Sequence, residues 1–180
     1  MSSNPNQHPD HAQAGTAVRR PPCLIPSPHG VANLLSGLVG KPVSVKTAAP
    51  VSIRTKSPVA VAIYARDDHS VAAVCIFDIT LANAAGAALT TIPSNVSDLS
   101  AKAGKLDDVI LENFKEVLNV ISQLFKTSDS QRIAFYSMHL APPEKIPGFA
   151  AIAIQSPVAR ADLNIAFPGY SPGKVTIVVR

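Results

Sequence analysis

The feature of the sequence that most restricts the fold is a pair of apolar, β-rich segments separated by a short polar connection. Residues 59–64 and residues 71–77 are rich in Val, Ile, Ala and aromatic side chains, and the charged residues Arg66, Asp67 and Asp68 lie between them. Two such segments around a polar turn are typical of a β-hairpin. Because both faces of both strands are apolar, other parts of the chain must cover the hairpin on both sides.

Two segments, one before and one after this hairpin, show the periodicity of helices. Residues 28–39 place apolar side chains three and four positions apart, behind Ser27 as an N-terminal cap and before a glycine that ends the helix. After the hairpin, either Asp78 or Thr80 can cap a second helix. The many alanines of this helix, together with Gly86, would let it pack closely against a neighbouring element.

The remaining segments predict further strands, a polar loop and a third helix. Strands are predicted, in chain order, at residues 43–47 with a continuation through 51–55, and at residues 132–140, 149–154, 161–167 and 174–179. A polar loop is expected at residues 94–105, and the third helix at residues 106–125. Because strands and helices are grouped along the chain instead of alternating singly, we predict an α+β fold. It would contain a mostly antiparallel sheet of about six strands packed with three helices.

The length and composition fit one globular domain behind a polar N-terminal tail. A chain of 180 residues is long enough for one substantial core, and a hydrophobic content of 47% excludes a wholly disordered protein. Residues 1–26 are rich in Pro, Ser, Asn, Gln and His and lack apolar periodicity. We therefore predict a disordered tail at residues 1–26 and a single domain at residues 27–180.

The composition argues against several classes of function. The formal net charge is only +4, Lys and Arg are scattered, and aromatic residues make up 5% of the chain, so no nucleic-acid partner is expected. No apolar run is long enough to span a bilayer and no secretory signal is visible, so we expect a cytoplasmic protein without a membrane partner. Cys23 and Cys75 are expected to be unpaired thiols, and no His/Cys spacing predicts a metal site.

The predicted third helix has two distinct faces. Its apolar face comprises Ile110, Phe114, Val117, Ile121 and Phe125. Its other face carries a row of carboxylates and carboxamides, which we call the polar row: Glu112, Glu116, Asn119 and Gln123. Such a row is either an ordinary solvated surface or a binding site. The like charges of Glu112 and Glu116 at i, i+4 favour the second interpretation, because Lys115 lies off the row and is not expected to compensate them.

One spacing within this helix resembles a known signature. Glu116 and Asn119, with Pro142 after 22 intervening residues, are similar to the motif of the CheC/CheX/FliY family of chemotaxis phosphatases, most closely the CheX type. The acidic opening at residues 106–108 and the order of the predicted elements also resemble CheX. The resemblance implies a CheX-like fold over roughly residues 28–180. It also implies a substrate, the aspartyl phosphate of a CheY-like response-regulator receiver domain.

The resemblance also implies roles for individual residues. Asn119 would orient the attacking water, and Glu116 would anchor the receiver's active-site lysine. Glu112 and Gln123 would contact the partner, and Pro142 would be structural. The protein would need no cofactor of its own, since Mg²⁺ would belong to the receiver.

Two departures from the family pattern leave other functions open. Glu112 stands where the family has Asp or Ser, and the bulky residues 120–123 follow Asn119 where CheX-type proteins carry a nearby glycine. A non-catalytic CheX-like module that docks a receiver without turnover is therefore an alternative. A structural dimer with an unrelated ligand is a third, because CheX-type relatives dimerise and the strands of the C-terminal half offer edges for pairing.

Overall fold

The computed structural model describes residues 23–53, 57–126, 132–142 and 145–180, so residues 1–22 of the predicted tail lie outside the described part. The fold is α+β, as predicted. The helices are α1 (Pro28–Val39), α2 (Ile79–Leu89), α3 (Ser94–Lys102), α4 (Asp108–Ile121) and α5 (Gly148–Gln155), with a 3-10 helix at Ser122–Phe125. The strands are β1 (Ser44–Thr47), β2 (Val59–Arg66), β3 (Val71–Asp78), β4 (Ile133–Ala141), β5 (Ala159–Ala166) and β6 (Gly173–Val179).

The six strands form one sheet in the order β1-β5-β6-β3-β2-β4, and every pair is antiparallel. The predicted hairpin is confirmed as β2 and β3, which lie inside this sheet. Side chains such as Ala62 and Cys75 face the layer of α1, α2 and α4. Side chains such as Val61 and Val74 face α5 and the segment around Val51. Both faces of the hairpin are therefore covered, as its apolar sequence requires.

The predicted caps of the first two helices are confirmed. The Gly30 amide donates to the Ser27 hydroxyl over 3.0 Å at the start of α1, and Gly40 ends that helix with a φ of 67°. Of the two candidate caps for α2, Asp78 is the one used, because its carboxylate accepts from the Leu81 amide at 2.7 Å. Burial raises the pKa of the Asp78 carboxyl, and hydrogen bonds from backbone amides oppose that rise.

The small residues of α2 allow it to approach α4 closely. A Cβ atom added at Gly86 would lie 2.3 Å from the carbonyl oxygen of Ile110, a distance that no real Cβ contact reaches. The predicted close packing of the second helix is therefore confirmed, and its partner is the helix that carries the polar row. At the far end of α2, the Asn113 side chain donates to the Thr90 hydroxyl over 2.6 Å.

Two helices occur where the sequence predicted other structure. Residues 94–102 form α3 in place of part of the predicted loop. The inward side chains of α3 include Ser97 and Ser100, so the helix lacks the apolar stripe that reveals most helices. Residues 149–154 belong to α5 and not to a strand; the burial of Ala150 and Ala153, three positions apart, follows helical periodicity.

The other differences concern the ends of elements. β1 ends at Thr47. The predicted continuation of this strand through 51–55 is wrong at Val51, which is buried but does not belong to a strand. Residues 54–56 lie outside the described part of the chain. The α-helical geometry of α4 stops at Ile121, and the last four predicted positions form the 3-10 helix. Cys23, assigned to the tail from the sequence, is 4% exposed and packs against the core.

Candidate functional site

The polar row lies on a helix that is firmly seated on the core. Five inward side chains of α4 are each at most 5% exposed: Ile110, Phe114, Val117, Leu118 and Ile121. The Phe114 ring meets the Phe77 ring of β3 edge to face, with 5.2 Å between the ring centroids. Buried aromatic pairs of this kind stabilise a fold beyond the area that they bury. The outer face of α4 is therefore presented on a rigid support.

Glu112, Glu116 and Asn119 are all exposed on the outer face of α4, as predicted. A helix rotates by about 100° per residue, so the three side chains lie within an arc of about 60° and span about 10 Å along the axis. Across the residues that the structure describes, the side chains of Glu116 and Asn119 make no hydrogen bond or ion pair. Both are thus available to bind a group outside the protein.

Glu112 differs from Glu116 in having a charged neighbour. The Lys115 ammonium lies 2.6 Å from the Glu112 carboxylate, so the expectation that Lys115 leaves the acidic pair uncompensated is wrong. The lysine stem reaches back three positions along the helix, a separation at which side chains meet. An exposed pair of this kind contributes only about 0–1 kcal/mol to stability. Its main consequence is that Glu116, and not Glu112, keeps a carboxylate without a counter-charge.

The structure places the last predicted member of the row differently from the other three. Gln123 is exposed, but it lies in the 3-10 helix beyond the end of α4. Since a 3-10 helix has three residues per turn, the α-helical alignment of the row ends at Asn119. Pro142 is half-buried directly after β4, and its carbonyl accepts from the Lys145 amide at 2.9 Å.

Three residues near the row were missed from the sequence. Val109 is 65% exposed and lies about 20° from Glu116 around the helix, so the outer face is not wholly polar. The Tyr64 hydroxyl donates to the carbonyl of Leu118 over 3.1 Å, and the Ser122 hydroxyl donates to the carbonyl of Asn119 over 2.7 Å. Helical periodicity could have revealed Val109, whereas the two hydroxyl contacts depend on tertiary structure.

The chemistry of the row is that of recognition and orientation. A carboxylate accepts hydrogen bonds from a cation such as a lysine ammonium, and a carboxamide both donates and accepts, which suits it to hold a water molecule. Within the described residues, no group of three or more His, Cys, Asp or Glu side chains could hold a metal ion. None of the described helices combines the length and the apolar character needed to cross a membrane.

Comparison with known proteins gives no match at the level of sequence. No family model matches the chain, and no curated protein matches it either. The fold, in contrast, has clear counterparts among solved structures.

The similar structures include FliM and FliY. FliM in the FliM–SpeE complex from H. pylori has a TM-score of 0.59 at 12% identity, over 84% of this chain and 80% of that one. The FliM middle domain from H. pylori has a TM-score of 0.50 at 10% identity, over 84% of each chain. FliY from Thermotoga maritima has a TM-score of 0.50 at 11% identity, over 82% of this chain and 81% of that one.

These likenesses define the class of fold. The chain has the fold of the FliM middle domain and of FliY, which confirms the expectation of a CheC/CheX/FliY-type fold. At identities of 10–12% the likeness establishes the fold alone. What the protein does must therefore be argued from the polar row.

Proposed function

We propose that this protein is a CheX-like phosphatase that removes the phosphoryl group from the aspartyl phosphate of a CheY-like receiver domain in the cytoplasm. The observation that supports the proposal is the pair Glu116 and Asn119. Both side chains are exposed and one helical turn apart on a helix seated on the core, and neither has a partner among the described residues. The fold shared with FliY is consistent with the CheC/CheX/FliY-type fold on which this proposal draws.

In the proposed reaction, Glu116 forms an ion pair with the receiver's active-site lysine and so docks α4 beside the aspartyl phosphate. The Asn119 carboxamide then holds a water molecule in line with the phosphorus. The water oxygen bonds to phosphorus as the bond to the aspartate oxygen breaks, which yields inorganic phosphate and a free carboxylate. This is catalysis by positioning, which suits phosphoryl transfer because its transition state needs little proton abstraction.

The other members of the row would enlarge the contact with the receiver. Glu112 and Gln123 lie on either side of the working pair and would meet the receiver surface. The Mg²⁺ ion that neutralises the phosphoryl oxygens would belong to the receiver, since the polar row offers no set of metal ligands.

The decisive experiment measures the decay of phosphorylated receivers from the same cell with and without the protein. Wild-type protein should accelerate the decay on at least one receiver, and Asn119→Ala should abolish the acceleration while leaving the protein folded. Gln155→Ala is a matched control, because it removes an exposed carboxamide from a different helix. It should retain full activity. If folded wild-type protein accelerates no receiver in the set, the phosphatase proposal is wrong.

A second candidate is a binding module that docks a receiver without turnover. The half-buried Val120 follows Asn119 directly and the exposed Gln123 lies four residues after it, and both leave less room for a partner backbone than small residues would. FliM, whose fold this chain shares, was solved in a complex with SpeE. This candidate predicts that the protein binds a phosphorylated receiver, that Glu116→Gln weakens the binding, and that the phosphate lifetime stays unchanged.

A homodimer is favoured by one edge of the sheet, beside which no further strand lies in the described part of the chain. β4 is the edge strand beside β2, and its nine residues include no Lys, Arg, Asp or Glu. Tyr136 and Leu140 on this strand are 61% and 37% exposed. An uncharged, apolar edge is a template for pairing with a second chain. Sedimentation should detect a dimer that Tyr136→Lys dissociates; a wild-type monomer at all concentrations would exclude this assembly.

A further inference from the structure

We propose that Tyr64 and Ser122 are positioning residues that fix the backbone of Asn119 and thereby the direction of its carboxamide. The inference rests on the proposed function, because it concerns the residue that would orient water. Neither residue would touch the substrate. Each acts through a hydrogen bond to a carbonyl of α4.

The hydrogen bonds lie where α4 changes its geometry. α-Helical structure ends at Ile121, two positions after Asn119, and a 3-10 helix begins at Ser122. The last turn of α4 departs from the α-helical pattern, because the Ser122 backbone amide donates to the Asn119 carbonyl three positions back, and a hydroxyl donor adds a second bond there. Here the Ser122 hydroxyl donates to the Asn119 carbonyl over 2.7 Å. The Tyr64 hydroxyl donates to the Leu118 carbonyl over 3.1 Å.

These two carbonyls belong to the two peptide planes that meet at Asn119. The Leu118 carbonyl shares its plane with the Asn119 amide, and the Asn119 carbonyl lies in the following plane. Because each peptide unit is planar, the relative orientation of the two planes sets φ and ψ of Asn119. Holding both carbonyls therefore fixes the direction in which the Asn119 side chain leaves the helix.

Both donors are themselves immobilised. Tyr64 is 0% exposed and lies on β2, and its ring packs at 4.9 Å from Phe125 and 6.0 Å from Phe135, measured between ring centroids. Ser122 is 8% exposed. Through Tyr64, the end of α4 is bonded directly to the central hairpin of the sheet. Ser122 and Phe125 are the first and last residues of the 3-10 helix. This helix therefore donates to the Asn119 carbonyl through Ser122 and packs against the Tyr64 ring through Phe125.

The anchoring is confined to Asn119 within the row. In the described part of the chain, no side chain bonds to a backbone carbonyl of Glu112 or Glu116. A salt-bridging carboxylate tolerates a range of directions, whereas a carboxamide that orients a water for in-line attack does not. A displacement of about 1 Å at such a position can lower a rate by about 100-fold. The extra hydrogen bonds thus occur at the one residue whose direction matters most to the reaction.

The test compares variants that remove one hydroxyl each. Ser122→Ala and Tyr64→Phe should each lower kcat on the phosphorylated receiver by about tenfold or more with little change in KM, because docking through Glu116 is retained. Ser122→Thr keeps the hydroxyl and should restore kcat. Ser100→Ala is the matched control. Ser100 is also buried, and its hydroxyl donates to the Lys105 carbonyl at 3.0 Å and accepts from the Asp107 amide at 3.3 Å, so it holds the start of α4, the opposite end from Asn119.

A second measurement does not depend on activity. In NMR relaxation experiments, Ser122→Ala and Tyr64→Phe should lower the order parameters of the Asn119 backbone and side-chain amides, while those of Glu112 keep rigid values of about 0.85. If Asn119→Ala abolishes activity but the two hydroxyl variants behave like Ser100→Ala in both measurements, the positioning role is wrong and the phosphatase proposal stands. If wild-type protein is inactive on every receiver, the proposed function fails. The order parameters then decide on their own whether the two hydroxyls hold Asn119.

Discussion

The helices α4 and α5 cover opposite faces of the same sheet, and they present opposite kinds of surface to the outside. α4 presents Glu116 and Asn119, exposed and without partners in the described part of the chain. α5 presents Ile152, which is 56% exposed, above its buried alanines. A helix can therefore complete the core with one face while its other face is free for a different purpose. The difference between the two outer faces is what directs the functional argument to α4.

The largest expected effect concerns the inner face of α4. Phe114→Ala should lower the free energy of unfolding by about 3–5 kcal/mol, because it removes a fully buried ring and leaves a cavity. Val109→Ala, at a position of the same helix that is 65% exposed, should change it by no more than about 0.5 kcal/mol. Urea denaturation of both variants measures the two values. Equal losses would mean that α4 is not seated on the core as described.

The second effect tests whether α5 is a helix with one buried face. Ala153→Asp should cost at least about 2 kcal/mol, because it places an unpaired charge at a position with 0% exposure. Ile152→Asp, at the neighbouring exposed position, should cost less than about 1 kcal/mol. Urea denaturation of both α5 variants measures the two losses of unfolding free energy. A larger loss from Ile152→Asp would show that another surface covers the outside of α5.

The third effect tests the contact that fixes α4 against α2. Gly86→Ala should destabilise the protein by about 1–3 kcal/mol, because the added methyl group collides with the Ile110 carbonyl. Gly37→Ala is the control in α1, since a Cβ atom there meets nothing within 4 Å. It should stabilise the protein by about 0.5–1 kcal/mol through the loss of glycine flexibility in the unfolded chain. Calorimetry should give opposite shifts in Tm, and a gain from Gly86→Ala would refute the close approach.

The same two helices explain how much of the fold the sequence could reveal. α4 has 14 residues with a continuous apolar stripe and a mostly polar outer face, a pattern that only a helix accounts for. α5 has eight residues, almost all apolar, and so short an apolar run is equally compatible with a strand. α3 escaped detection for the opposite reason, because serines occupy its inward positions. Strong amphipathic periodicity thus identified a helix correctly, whereas the absence of such periodicity did not mean that a helix was absent.

Some features of the candidate site could likewise be predicted from the sequence, and others could not. The exposure of Glu112, Glu116 and Asn119 follows from helical periodicity and was predicted from the sequence. The pairing of Lys115 with Glu112 depends on a side-chain rotamer, which the spacing alone does not determine. The hydrogen bonds to the carbonyls beside Asn119 involve Tyr64 from a distant strand and the local change to a 3-10 helix. These features arise from tertiary packing, so local patterns in the sequence could not reveal them.

The most direct test of the account asks which helix a receiver touches. Isotope-labelled protein would be titrated with receivers activated by beryllofluoride, which mimics an aspartyl phosphate, and the amide signals followed by NMR. The account predicts that the shifts concentrate on residues 109–123, with α5 unaffected, and that Glu116→Gln weakens the binding. Shifts confined to α5 or β4, or no shifts with any receiver, would contradict the claim that the outer face of α4 is the functional surface.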